Sequence, residues 1–419
     1  ERRKSTTKKR SARRSHVRPN TMSTQEYASI ERVFAAKAKD FHEVSSFIHT
    51  NPELAFKEHK SHDFLCQKLK AEGFSVTEHY LECDTAFLAT YEKTPGGPTV
   101  CVICEYDALP DVGHACGHNL IAETGFAAGV AIKVFLEENP QVKGKVVVMG
   151  TPAEESGAGK QVLISRGAFK GIDCAMMVHP SNTCNETHPL FIGVETLSAE
   201  FRGKAAHAAG FPWQGRNALD GAVTCYNGLA MLRQHIKPTS KVHAVITNGG
   251  AAANVVPEYA ALSIMYRAAT IDELGELGRR VEDCVNAGAL LSNTKADISR
   301  PYPRYLPLKT NSVLARCYRQ HCESAGMIFE DAGKLGSFVA SSDIGNVSMT
   351  VPAIQPIFHI DSPGPNHSKA FTSSAGSDEA QPNALIAAKA MAKTGADILC
   401  QPALLTAMKD EFERECLGR

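Results

Sequence analysis

The α/β character of this chain is clearest in the stretch TVCVICEYDALPDVGHACGHN, residues 99–119. It begins with an apolar, β-branched run that is typical of a buried strand. It continues into a loop that holds carboxylates, imidazoles and a thiol, and a helix-like segment, residues 120–139, follows. This order indicates an α/β sheet whose reactive side chains lie beyond the carboxyl ends of the strands.

The same alternation continues on both sides of this stretch. A helical pattern with a Pro-containing turn runs from Tyr27 to about Lys70, and further strand-like runs follow at residues 74–80, 86–92, 145–151 and 173–180. Helix-like segments separate the later strands, which favours a sheet with parallel segments.

After about residue 189 the pattern changes to β-α-β-β-α-β, the ferredoxin-like order. From about residue 302 helix and strand return, with a final helix predicted over about 380–399. We therefore predict a two-domain protein: a catalytic α/β sheet domain in two sequence halves, residues 22–189 and 302–419, split by an inserted ferredoxin-like α+β domain, residues 190–301.

Composition and charge exclude several classes of protein. Of the 419 residues, 43% are hydrophobic and 21% are charged, as in soluble globular chains rather than disordered or collagenous ones. No run approaches the roughly 18 consecutive apolar residues of a membrane span, so we expect no membrane partner. The 13 cysteines are scattered rather than spaced as a disulfide framework, which favours a cytoplasmic protein. Cys101 and Cys104 form a CxxC that we interpret as buried strand thiols.

The N-terminus is strongly basic. The first 20 residues contain nine Lys or Arg and one acid, whereas the rest of the chain has 36 basic and 44 acidic residues. We expect residues 1–21 to be a disordered tail, either a leader or an upstream extension before Met22. A nuclear location or nucleic-acid contact is the alternative reading of such a tail, but we expect no nucleic-acid partner.

Four segments hold potential metal ligands at predicted strand ends. The first, residues 105–119, offers Glu105, Asp107, His114, Cys116 and His118. A thiolate, imidazoles and carboxylates together suit Zn²⁺ better than Mg²⁺ or Ca²⁺, which prefer oxygen ligands alone.

The other three segments follow later strands. GTPAEESG places Glu154 and Glu155 after a strand, where one carboxylate could bind a metal and the other hold an attacking water. MMVHP places His179 at a strand tip, and FHIDSPGPNHSKAF offers His359, Asp361 and His367. A single histidine is usually structural, but the recurrence of such residues at separate strand ends predicts one shared site.

These motifs, together with GKAAHAA and NVVP in the inserted domain, resemble the co-catalytic metallopeptidase family of aminoacylase and glutamate carboxypeptidase. CEYDALPDVGHACGHN, GTPAEE and the late NH before FTSSAGSDEAQ are most similar to its branch of Xaa-Arg (β-alanyl-lysine) dipeptidases and their amidohydrolase relatives. The similarity runs from about Tyr27 to Phe412.

The resemblance implies two divalent metal ions, zinc with manganese or cobalt as alternatives. It implies Cys116 as the bridging ligand, His118 and His179 on one ion, and Glu155 and His367 on the other. Where many relatives have an HxD motif this chain has Glu105-x-Asp107, so Glu105 is a weak ligand candidate and Asp107 is expected to orient a ligand.

The resemblance also implies roles for other side chains. Glu154 would be the general base that takes a proton from the attacking water. His207 would polarise the substrate carbonyl from the partner subunit of a homodimer formed through the inserted domain. A set of substrate contacts is implied as well: Asn254, Arg267, Gly249 and Gly250. Arg267 suits a free α-carboxylate.

The expected activity is metal-dependent hydrolysis of dipeptides with a basic C-terminal residue. An N-acyl-amino-acid or aminobenzoyl-glutamate type of amidohydrolase is the alternative. A non-catalytic scaffold of the same fold is a third reading, disfavoured because all the expected ligands and the base are present.

Overall fold

The computed structural model describes residues 22–23, 25–329, 340–416 and 418. The predicted basic tail therefore lies outside the described residues. The helices are α1 (Ala28–Thr50), α2 (His59–Ala71), α3 (His118–Glu138), α4 (Gly159–Ser165), α5 (Ala218–Leu232), α6 (Ile271–Leu291), α7 (Ser312–Ser324), α8 (Ile344–Ser348), α9 (Lys369–Ala375), α10 (Gln381–Cys400) and α11 (Pro402–Cys416). The strands are β1 (Ser75–Glu78), β2 (Phe87–Glu92), β3 (Thr99–Cys104), β4 (Lys145–Gly150), β5 (Cys174–Met176), β6 (His179–Ser181), β7 (Gly193–Arg202), β8 (Lys241–Asn248), β9 (Tyr259–Ala268), β10 (Lys295–Ser299), β11 (Ala353–Ile354) and β12 (Ile357–His359).

The predicted α/β class is confirmed. In the described chain the larger sheet has the order β1-β2-β4-β3-β5-β11. β3, β4, β5 and β11 are mutually parallel, while at one edge β2 pairs antiparallel with β4 and β1 pairs antiparallel with β2. β6 and β12 form a short parallel pair just beyond the ends of β5 and β11. Because parallel strands end at one edge, the loops after β3, β4 and β5 meet there.

Helix α3 lies at the centre of the body. With α1 and α10 it forms one apolar layer against the sheet, and α4 and α8 contribute to a layer on the other face. Gly129 permits this approach, because a Cβ there would lie 2.2 Å from Val148 Cγ2. Of the described helices, α3 has the length and hydropathy to cross a membrane, but 89% of that window is buried inside the protein, as in the core helix of a soluble domain.

The inserted unit, residues 193–299, has the expected β-α-β-β-α-β order. Its antiparallel sheet is ordered β10-β7-β9-β8. α6 begins at the N-cap Thr270, whose side chain accepts a hydrogen bond from the Glu273 N–H, and it buries Val281 and Val285 against the sheet. The unit has its own apolar core, separate from the two layers of the body.

The end of the chain differs from the prediction. The helix expected over about 380–399 is α10, but it is followed by a further helix, α11, that the sequence pattern did not indicate. Gln401 adopts an extended conformation that ends α10, and Pro402 starts α11, a first-turn position where the missing N–H of proline costs nothing.

Candidate metal centre and active site

Three groups of side chains in the described chain have ligand atoms within 4.8 Å of one another. They are Cys116–His118–His179, Cys116–Glu155–His367 and His118–Glu154–Glu155. Cys116 belongs to both of the first two groups, which is the geometry of a ligand shared between two ions. Its Sγ lies 3.4 Å from His179 Nε2, and His367 Nε2 lies 3.5 Å from Glu155 Oε1.

The fold gathers these residues from separate elements. Cys116 lies in the loop after β3, and His118 is the first residue of α3. Gly117 between them has φ of +82°, and a Cβ there would lie 2.5 Å from Pro180 Cγ. Glycine therefore permits the tight turn that points both neighbouring side chains inward.

Buried atoms without hydrogen-bond partners show that cations fit this centre. His118 Nε2 and Glu155 Oε1 are both buried and unpartnered, as is Glu105 Oε2. Leaving a buried polar atom unpaired costs about 1–3 kcal/mol, which a bound cation would remove. On the other side of the ring, His118 Nδ1 lies 3.0 Å from Asp107 Oδ1 and 2.9 Å from its carbonyl oxygen. These acceptors fix the proton on Nδ1 and leave the Nε2 lone pair for a metal.

A cavity of about 470 Å³ opens over these ligands. Both the body and the inserted unit contribute to its wall. The side chains that the inserted unit contributes are Val194, Thr196, Met265 and Arg267. Arg267 donates a 2.6 Å hydrogen bond to Ser341 Oγ, so the guanidinium lies where the two parts of the chain meet. The volume is suited to a small molecule.

Comparison with known proteins places this geometry in a family. The model of peptidase family M20/M25/M40 matches residues 102–385. The chain is 40% identical over 413 residues to the Xaa-Arg dipeptidase of Mus musculus, covering 94% of this chain and 95% of that protein. This chain belongs to peptidase family M20/M25/M40. It is accordingly a metal-dependent hydrolase of amide bonds.

More distant members of the M20 family share part of the sequence or the fold. One of the subunits of the p-aminobenzoyl-glutamate hydrolase of Escherichia coli (strain K12) is 31% identical over 304 residues, covering 68% of this chain and 63% of that protein. A dinuclear metal-binding M20 peptidase from Bacillus subtilis superposes with a TM-score of 0.66 at 17% identity, covering 87% of this chain and 99% of that one. The M20 fold is therefore shared well beyond recognisable sequence similarity.

The pKa values of the two adjacent glutamates of this M20 chain are shifted in opposite directions. Burial, together with the charge of Glu155, Glu105 and Asp343, raises the pKa of Glu154 well above its ordinary value. Burial also opposes ionisation of Glu155, but the nearby His367 and His118 hold its pKa below the ordinary value. Glu155 therefore favours the charged form, which suits a metal ligand, whereas Glu154 favours the protonated form.

A buried lysine neutralises part of this negative charge. Lys160 is fully buried and donates to Glu105 and, at 2.6 Å, to Asp343 Oδ1. Burial would lower the pKa of Lys160, but Asp343 and Glu105 raise it, so it stays charged. Sequence reasoning missed both Lys160 and Asp343, because a lysine in a helix is ordinarily expected to be exposed.

Glu105 is consequently held away from a simple ligand role. One of its oxygens pairs with Lys160, and the other lies 3.6 Å from His118 Nε2. Asp107 lies behind His118, and its second oxygen accepts the N–H of Glu155 at 2.9 Å. One carboxylate therefore contacts two of the candidate ligand residues, His118 and Glu155.

The remaining ligand candidates of the sequence lie outside the three groups. His114 is buried beside His49, with 6.3 Å between ring centroids. His359 and Asp361 pair with each other at 3.0 Å on the surface.

The remaining predicted contacts lie on the inserted unit, outside the described wall of the cavity. His207 and Asn254 are on adjoining segments, where the Ala208 N–H donates to the Asn254 carbonyl at 3.0 Å. Gly249 and Gly250 follow β8 and are exposed. His207 Nδ1 accepts the N–H groups of Ala209 and Gly210, so the ring proton lies on Nε2.

Proposed function

We propose that this protein hydrolyses dipeptides with a basic C-terminal residue, of the β-alanyl-lysine or Xaa-Arg type. The observation that carries this proposal is the 40% identity to a mouse Xaa-Arg dipeptidase over nearly the whole of both chains. The gathered ligand-type side chains and the cavity above them support the same chemistry.

The residues that would hold two divalent ions are those of the first two groups. Cys116 would be shared, with His118 and His179 on one side and Glu155 and His367 on the other. The thiolate and imidazoles favour zinc, with manganese or cobalt as alternatives. Ions bound there would lower the pKa of a water molecule and polarise the substrate carbonyl.

Glu154 would act as the general base. Its carboxylate lies within reach of the same ligands, with Oε2 3.8 Å from His118 Nε2. It would take a proton from the attacking water and return it to the leaving amine as the amide C–N bond breaks. Water and the amide are thereby converted to a carboxylic acid and an amine.

Arg267 would bind the α-carboxylate of the substrate. The guanidinium is half-buried on the cavity wall, where it can form two parallel hydrogen bonds to a carboxylate. A free carboxylate at this position would set the orientation of the scissile amide over Glu154.

His207 would complete the site from a second copy of the chain. Its Nε2–H is a donor suited to a carbonyl oxygen, but in its own chain the residue is outside the cavity wall and partly open to solvent. We therefore propose a homodimer formed through the inserted unit, in which His207 of the partner subunit, with Asn254, Gly249 and Gly250 beside it, contacts the substrate. The neighbouring Trp213 is 75% exposed, which suits a surface that another chain covers.

We also propose a cytoplasmic location. The thirteen cysteines form no disulfide in the part of the chain that the structure describes, as expected of a reducing compartment. Cys101 and Cys104 are fully buried in β3, as predicted.

A second candidate is an aminobenzoyl-glutamate or N-acyl-amino-acid hydrolase. The 31% identity to the Escherichia coli hydrolase favours it, and the cation of Arg267 would also suit an acidic product.

One assay separates these candidates. The purified chain is tested for metal content and for hydrolysis of β-alanyl-lysine, an Xaa-Arg dipeptide, N-acetylmethionine and aminobenzoyl-glutamate, with and without a chelator. Chelator-sensitive cleavage that is fastest for the basic dipeptides supports the proposal. Preference for aminobenzoyl-glutamate or the N-acyl compound selects the second candidate, and a metal-loaded sample that cleaves none of the four contradicts both.

A further inference from the structure

The turn that carries the two glutamates, residues 153–158, has a strained backbone. Ala153 has φ of +60° and Ala158 has φ of +52°. Non-glycine residues rarely adopt this left-handed conformation, which costs about 1–3 kcal/mol each and persists only where surrounding contacts impose it. The contacts that hold this glutamate turn therefore decide where Glu154 points.

Two of these contacts come from the body. Glu58 accepts the Ala153 N–H at 2.9 Å, and Asp107 accepts the Glu155 N–H at 2.9 Å. A third contact comes from Tyr305, whose hydroxyl donates to the Glu154 carbonyl at 2.6 Å and accepts the Ala158 N–H at 3.2 Å. One phenol thus joins the two halves of the glutamate turn.

The backbone of Tyr305 joins the body to the inserted unit. It pairs with Val194 at the start of the inserted unit through two hydrogen bonds of 3.0 Å. Val194 in turn lies opposite Arg267 in the register of β7 and β9. Tyr305, Val194 and Arg267 therefore form one row of paired backbones, and at about 4.8 Å per step the first and last lie roughly 10 Å apart.

Ion pairs hold this row to the inserted unit. Glu195, next to Val194, is 3% exposed and accepts hydrogen bonds from Arg300 at 2.7 Å and from Arg304 at 2.7 and 3.0 Å. Tyr266 also donates to Glu195. The segment that leads to Tyr305 is thus bound to the same sheet that carries Arg267.

We propose that Tyr305 is a positioning residue that sets the distance between the general base Glu154 and the carboxylate-binding Arg267. The row of backbones fixes Tyr305 relative to Arg267, and the phenol fixes the glutamate turn relative to Tyr305. The scissile amide of a substrate held by Arg267 is thereby placed over Glu154. This inference rests on the proposed function, because it takes Glu154 and Arg267 in the roles given there.

The test compares Tyr305→Phe with Tyr318→Phe, which changes a fully buried tyrosine of α7 outside the cavity wall. Phenylalanine keeps the ring and removes only the hydroxyl. For Tyr305→Phe with a dipeptide substrate we expect kcat to fall about 10- to 100-fold, as for small misplacements of reacting groups, with KM within about twofold and metal content unchanged. Tyr318→Phe should retain the wild-type kcat.

Amide hydrogen exchange gives a readout that does not depend on activity. In Tyr305→Phe the Ala158 amide should exchange faster, because its acceptor is gone. The Ala153 and Lys160 amides, which donate to Glu58 and Asp343, should stay protected.

The inference would be overturned by a wild-type kcat in Tyr305→Phe, whether or not KM rises, or by unchanged exchange of Ala158. Equal loss of protection at all three amides would show general loosening and would also overturn it. If the wild-type chain cleaves none of the tested amides, the proposed function fails instead, and the exchange experiment still decides whether Tyr305 holds the glutamate turn.

Discussion

Cys116 Sγ lies 3.4 Å from His179 Nε2, although one residue follows β3 and the other begins β6. The same sulfur is grouped with Glu155 and His367 on its other side. A single thiol therefore stands between the two groups of ligand-type side chains, so we expect its removal to affect both.

We expect Cys116→Ala to lose metal as well as activity. The variant removes the ligand common to both groups, so fewer than the wild-type number of ions should remain per chain after dialysis. Metal analysis and hydrolysis measured on the same sample check this. Cys400→Ala, a half-buried cysteine on α10, serves as the control, and full metal content in Cys116→Ala would show that the thiol is not a ligand.

For Glu154→Gln we expect turnover to be lost while the metal content is retained. Glutamine keeps the shape of the side chain but cannot take a proton, so the ions should remain while kcat falls by about 10²–10⁴-fold, the range for a lost general base. Glu413→Gln, an exposed change on α11, is the control. An active Glu154→Gln enzyme would rule out the base assignment.

The strand pattern predicted that several ligand candidates would lie close together, whereas their individual roles were implied only by the family resemblance. Strand ends converge in a parallel sheet, so Cys116, Glu155 and His179 could be placed together without coordinates. The contacts that support them could not. Lys160 meets Glu105 and Asp343 across 55 and 183 positions of sequence, and no local pattern distinguishes such a lysine from an exposed one.

The same limit applies to the backbone. The left-handed conformation of Ala153 contradicts its residue type, because glycine is the usual residue at positive φ. Only tertiary contacts impose it, and they come from Glu58 and Tyr305, which are far away in sequence.

Arg267→Met should raise KM and also lower kcat, because the guanidinium would both bind the substrate and orient its scissile amide over Glu154. The variant removes a charge-assisted pair worth about 1.5–3 kcal/mol, which corresponds to roughly a 10- to 150-fold weaker affinity. With the wild-type enzyme, replacing the C-terminal carboxylate of the substrate by an amide should weaken the affinity by the same factor. With the variant, the same change in the substrate should weaken the affinity little further. Arg202→Met, an exposed change on β7, controls for loss of charge. If the amide substrate weakens affinity as much with the variant as with the wild-type enzyme, the assignment of Arg267 to the carboxylate is refuted.

Stability should depend on pH through Glu123, a buried carboxylate on α3. Burial raises its pKa from 4.5 to about 7 in the folded state. The folded chain therefore binds the proton more tightly than the unfolded chain, so this residue costs no stability below about pH 4.5 and progressively more as the pH rises to 7, where the cost is roughly 3 kcal/mol.

Glu123→Gln should remove this cost. We expect the variant to be more stable than the wild type at pH 8 and similar to it near pH 4.5, as measured by urea unfolding at both values. Glu137→Gln, on the same helix but more exposed, should leave the pH dependence unchanged. Parallel wild-type and Glu123→Gln stability curves would contradict the assignment.

The contribution of His207 can be tested by mixing two inactive variants, His207→Ala and Glu154→Gln. If the partner subunit's His207 serves each site, a mixed dimer has one complete site, because the chain that keeps Glu154 receives the intact histidine from the other. Random mixing makes half of the dimers mixed, so about a quarter of the wild-type activity should return. If His207 serves its own chain, no site is complete and no activity returns. Gel filtration of each variant alone, showing the same assembly as the wild type, ensures that a negative result reflects the site rather than a failure to associate.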